Sequence, residues 1–147
     1  MKIGYSRYVL LVASVSGVAS CAGDGTGLDE FGNPLGESRV ELAPTLASIQ
    51  ANIFTPICTK CHIGASAPLG LVLSEGVARK NLVFVPSVEM SELMRVNPGK
   101  PDSSYIIWKI EGRSAIMGAR MPFQLPPLSA EYIDAVRGWI EAGALEN

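Results

Sequence analysis

From Thr45 onward the apolar positions of the chain fall at helical spacing. Leu46, Ile49, Ile53 and Phe54 recur at steps of three and four, Thr45 can cap the start, and Pro56 stops the run. A short helix is predicted there. Ile63 to Leu73 follows as a turn-rich loop, with Gly64, Pro68 and Gly70 interleaved with Leu69, Leu71 and Leu73. Ser74 to Leu82 reads as a weak helix interrupted by Gly76, and Val83-Phe84-Val85 as an extended piece before Pro86. Between Pro86 and Pro101, Met90, Leu93 and Met94 sit at the spacing of one helical turn, and Asn97-Pro98-Gly99 is a turn. A third helix carries Tyr105, Ile106, Ile107, Trp108 and Ile110, capped by Asp102 or Ser103 and ended by Gly112. Gly118 to Pro127 is a loop. The clearest helix comes last: Ser129 caps it, Leu128 is placed to staple onto Ile133, Tyr132, Ile133, Val136, Trp139 and Ile140 line one face, and Gly143 closes it. No internal repeat is visible, and the pattern is that of an all-α domain over residues 45–147.

Before Thr45 the pattern is different. Residues 1–20 read as an export signal, with Lys2 and Arg7 as the positive region and Tyr8 to Val18 as an apolar run. That run is shorter than the roughly 18 to 20 residues a spanning helix needs. Its end, Val18-Ala19-Ser20-Cys21, resembles the lipobox of bacterial lipoproteins. The resemblance implies that Cys21 receives a diacylglyceryl group and becomes the acylated amino terminus, an anchor of several chains and therefore a stable one. The competing reading is an ordinary secreted protein cut near Ala22. Residues 21–44 hold five glycines (Gly23, Gly25, Gly27, Gly32, Gly36), acidic residues and only scattered apolar ones, the composition of a flexible tether.

Charge narrows the partners. The formal net charge of the 147-residue chain is −2, and loss of Lys2 and Arg7 with the signal leaves −4. No basic patch is present, which argues against nucleic acid. Hydrophobic residues at 48% and charged residues at 18% permit an ordinary packed core.

The chemistry concentrates in Cys58-Thr59-Lys60-Cys61-His62. C-x-x-C-H is the attachment signature of a c-type haem: the two thiols reach the two vinyl groups of the porphyrin, and the histidine is carried under the ring to bind the iron. A zinc site wants about four ligands, while the chain has three cysteines and one histidine. A redox dithiol wants a βαβ setting that the pattern does not offer. Attachment of this kind occurs outside the cytoplasm, in agreement with the export signal.

His62 is the only histidine, so if it is the proximal ligand, bis-histidine ligation within one chain is excluded. Met121 is the expected distal ligand, because it lies in a loop and Pro122 after it stiffens the backbone. Met117 is its competitor, Met90 and Met94 have the spacing of core residues, and the remaining case is a distal site that is open or filled by water or another side chain such as lysine. Trp108, Tyr105, Arg113 and Arg120 have weaker claims as contacts to haem propionates, against core packing for the aromatics and solvation for the arginines. Lys60 reads as a surface residue.

Taken in order, an apolar helix, C-x-x-C-H, a leucine- and glycine-rich loop, a middle helix, a Met-Pro loop and an aromatic-bearing last helix, this chain resembles a class I cytochrome c over Thr45 to Ala144. Arg120-Met121-Pro122, Leu125-Pro126-Pro127-Leu128-Ser129 and Trp139-Ile140-Glu141-Ala142-Gly143-Ala144 are similar to single-haem domains of bacterial exported proteins. The resemblance implies a cytochrome c fold of three to five short helices around one covalent haem c. Cys58 and Cys61 would hold the haem, with His62 proximal and Met121 distal. It implies further that Phe54 or Ile53 meets Trp139 or Val136, and that a proline carbonyl, best matched by Pro68, accepts the imidazole N–H. Val83 to Pro98 departs from the smallest members.

The expectation is therefore a monohaem one-electron carrier and not an enzyme, lipid-anchored on the periplasmic or cell-surface side of a bacterial membrane. Its partners would be a redox donor and a redox acceptor. The alternatives are a haem enzyme or ligand-binding haem protein with an open distal site, and a lipoprotein whose haem is mainly structural.

Overall fold

The computed structural model describes residues 42–147. The predicted signal, Cys21 and the tether up to residue 41 lie outside the described residues. Four α-helices, α1 (Leu46–Ile49), α2 (Ala78–Leu82), α3 (Tyr105–Glu111) and α4 (Ala130–Glu141), are joined by turns and extended segments, with no β-strand among the described residues. The domain is all-α, and none of these helices is long and apolar enough to cross a membrane.

The amphipathic pattern forms one core. Ile49, Ile53 and Phe54 from the first helical segment, Leu82 from α2, Ile107 and Ile110 from α3, and Val136, Trp139 and Ile140 from α4 are buried in a single cluster. The predicted partners Ile53, Phe54, Val136 and Trp139 thus share that core. Leu42 also packs against it, and Pro44 lies so close to α4 that a Cβ on Gly138 would stand 2.9 Å from Pro44 Cβ.

Three elements differ from the sequence pattern. The first helix runs as predicted from its Thr45 cap, whose hydroxyl accepts the Ser48 N–H, but widens after α1 into a π-turn over Gln50–Phe54. There the buried Gln50 amide donates to Thr55 Oγ1 and Leu73 O, both at 3.0 Å. Asp102 and Ser103 do not cap α3. They belong to a 3₁₀ turn, Pro101–Ser103, and Ser104 stands at the cap with its hydroxyl turned instead to Asn97 N and Lys100 O. The weak helix around Gly76 is a turn followed by α2 alone.

Between α2 and α3, Met90 and Leu93 close only one turn, with Leu93 N–H donating to Met90 O. The rest alternates turns, Asn97-Pro98-Gly99 among them, with short extended pieces, joined by single bridges pairing Val83 with Val96, Pro86 with Met94 and Met94 with Ser104. The buried Ser87 hydroxyl accepts the N–H groups of Glu89 and Met90 and closes a tight turn there. Ser129 caps α4 as predicted, accepting Tyr132 N–H, with Leu128 buried and Ile133 packed on the same core.

Candidate haem-attachment site

The motif turns immediately after the first helical segment. Ile57 N–H still reaches Ile53 O, and a 3₁₀ turn, Cys58–Lys60, follows. The Cys58 carbonyl accepts from both Cys61 N at 3.2 Å and His62 N at 2.9 Å. One carbonyl therefore gathers both thiol-bearing residues and the histidine into a single turn.

The two sulfurs sit differently. Cys58 is half-buried and packs against the core, and burial pushes its thiol up to about 12, because a thiolate there would lose its hydration. Cys61 is exposed, and neither forms a disulfide. Lys60 is exposed, as the sequence suggested.

His62 is fixed by its own loop. Its Nδ1 lies 3.1 Å from Leu71 O, and its backbone carbonyl accepts Leu73 N–H at 2.9 Å. A carbonyl oxygen has no proton to give, so this hydrogen bond requires the proton on Nδ1 and leaves the Nε2 lone pair free for a metal. The role assigned to Pro68 falls to Leu71. Pro68 opens a 3₁₀ turn, Pro68–Gly70, and its carbonyl is taken by Leu71 N–H at 3.1 Å. Gln50, holding Leu73 O from beneath, completes the frame; its polar side chain amid an apolar helix pattern was the sequence signal for it.

The two candidate methionines are separated by exposure. Met117 is 56% exposed, whereas Met121 is half-buried and packs against the core, its N–H donating to Lys109 O at 2.8 Å. A cleft of about 440 Å³ is lined by Ile57 and Lys60 from the motif segment and by Pro122, Leu125, Leu128 and Tyr132 from the opposite side. The cleft thus places Lys60 of the motif turn opposite Pro122; Cys58, Cys61, His62 and Met121 are not among its lining residues.

The remaining polar candidates are engaged within the protein. Trp108 Nε1 donates to Asp102 O, and Tyr105 is buried with its hydroxyl accepting Met117 N–H. Arg113 is not merely solvated: it pairs with Glu111 and Asp102. Arg120 donates to Leu125 O.

The residues fit a haem. Two thiols and an imidazole with a free Nε2 share one turn, a half-buried thioether lies in the loop that shares a cleft with it, and Ile63, Leu69, Phe123 and Leu125 are exposed apolar side chains. Among the described residues no three His, Cys, Asp or Glu side chains gather as a metal site, and haem iron bound by one imidazole and one thioether needs no such group.

No family model, no curated protein and no solved structure matches this chain.

Proposed function

We propose that this chain is an exported, lipid-anchored monohaem c-type cytochrome that carries one electron at a time between a redox donor and a redox acceptor, with residues 45–147 folded as a cytochrome c domain. Cys58 and Cys61 would hold the haem through thioethers, His62 Nε2 and Met121 Sδ would bind its iron, and Cys21 would carry the lipid. When bound, the haem supplies a ferrous–ferric couple. The chain supplies the rest.

Leu71 O keeps the Nδ1 proton in place, which orients the imidazole and leaves Nε2 as the nitrogen available to iron. Met121, half-buried against the core, offers a soft sulfur that favours the ferrous state and raises the potential. Leu128 and Tyr132, with Ile57, form the apolar part of the cleft wall, beside Lys60 and Glu131. With imidazole and thioether both committed, neither substrate nor dioxygen has an open position.

The observation that carries this reading is the His62 Nδ1 hydrogen bond to Leu71 O inside a C-x-x-C-H turn. The test is the visible spectrum of the purified ferric protein. A porphyrin that acid-acetone does not extract is expected, with a weak far-red band from sulfur-to-iron charge transfer. That band disappears in Met121→Ala and persists in Met117→Ala. Colourless protein, or a band lost only in Met117→Ala, refutes the assignment.

A further inference from the structure

Lys109 is an ammonium in a buried position, 9% exposed, on the inner side of α3. Its Nζ donates to Met117 O at 2.8 Å and lies 3.1 Å from Glu89 Oε2. One helical turn earlier, the buried Tyr105 hydroxyl accepts Met117 N–H at 3.1 Å. That leaves the phenol proton free to donate. The Lys109 carbonyl in turn accepts Met121 N–H at 2.8 Å. Gly118 rests on the ion pair: a Cβ there would be 3.5 Å from Glu89 Oε1 and 3.9 Å from Lys109 Nζ.

Two residues of one helix face therefore hold both backbone groups of Met117 and the amide of Met121. An ion pair placed in an interior is a weak source of stability, since an apolar residue of similar size often serves as well. The pair lies beneath a loop in which Met117 is turned outward and Met121 lies against the core.

We propose that Lys109, held by Glu89 and assisted by Tyr105, is a positioning device that presents Met121 rather than Met117 to the haem iron and resists displacement of its sulfur. This rests on the His62 and Met121 ligation proposed above. Lys109 touches the loop, not the iron, and acts through Met121.

The test is titration of the ferric holoprotein with imidazole, which competes with the thioether and is followed by loss of the far-red band. Glu89→Gln and Lys109→Met are combined so that no buried charge is left alone. Apparent imidazole affinity then rises about tenfold, because the displaced-methionine state becomes more populated. Lys109→Arg, which keeps the charge and the donors, stays near wild type. Tyr105→Phe removes the hydroxyl that accepts Met117 N–H and raises the affinity by a smaller factor, about threefold. It decides the matter if the double variant does not fold. Lower melting temperatures with unchanged imidazole affinity in every variant that folds assign the cluster to stability and overturn the proposal alone. Wild-type protein without a far-red band overturns the ligation reading and this proposal together.

Discussion

At the scale of single residues, the site depends on backbone groups as much as on side chains. The Cys58 carbonyl gathers the motif and the Leu71 carbonyl sets the imidazole tautomer, and neither is coded by a side-chain identity. Gly112 shows the same dependence where a helix ends. It takes φ of +74° after α3, its N–H and that of Arg113 both reach Trp108 O, and an added Cβ would stand 2.7 Å from Arg120 Cδ. Gly112→Ala is expected to lose about 1–2 kcal/mol from left-handed backbone strain, read as a lower melting temperature. An unchanged melting curve means that Arg120 and the helix end relax without cost. Gly112 as helix terminator was legible, since an apolar run ending at glycine is a local signal. Leu71 was not, because which carbonyl points at a ring depends on the path of the whole 63–73 loop.

At the scale of elements, two serines at helix starts behave differently. Ser129 Oγ accepts Tyr132 N–H and serves α4, whereas the Ser104 hydroxyl serves the preceding turn instead. Ser129→Ala should therefore cost about 1 kcal/mol, a fall in melting temperature of roughly 4–8 °C for a domain near 100 residues. A fall well under one degree, measured by calorimetry, removes the cap from the list of stabilising features. The Ser129 cap was readable because serine preceded a long amphipathic run. The start of α3 was misread because the acidic residue that looked like a cap, Asp102, is occupied by arginines distant in sequence. The π-turn after α1 was equally hidden: Gln50 makes it useful only once Leu73 has been brought over it.

At the scale of the molecule, Asp102 and Glu111 both pair with Arg113 and Arg137, tying the Pro101–Ser103 turn and α3 to α4. Hydrogen bonds from Arg113, then Arg137, hold the Asp102 carboxyl below its ordinary value. A group that binds its proton less readily when folded stabilises the fold above its unfolded pKa, and that contribution is lost as pH falls through the folded value. The melting-temperature gap between wild type and Asp102→Asn is thus expected at neutral pH, closing under acid and narrowing in high salt, since Asp102 is exposed. Equal melting temperatures at neutral pH leave the network no net effect.

The sequence by itself determined the helical class, the apolar faces of the first and last helices, the loop that carries Met121 and the order of Cys58, Cys61 and His62, because periodicity, caps and motif spacing are local properties of the chain. Only the tertiary structure decided that Leu71 rather than Pro68 faces the imidazole, that Lys109 is buried beneath the methionine loop, and that Met117 is turned outward. Each of these is a contact between segments whose meeting depends on how the whole core packs, and no local pattern encodes it.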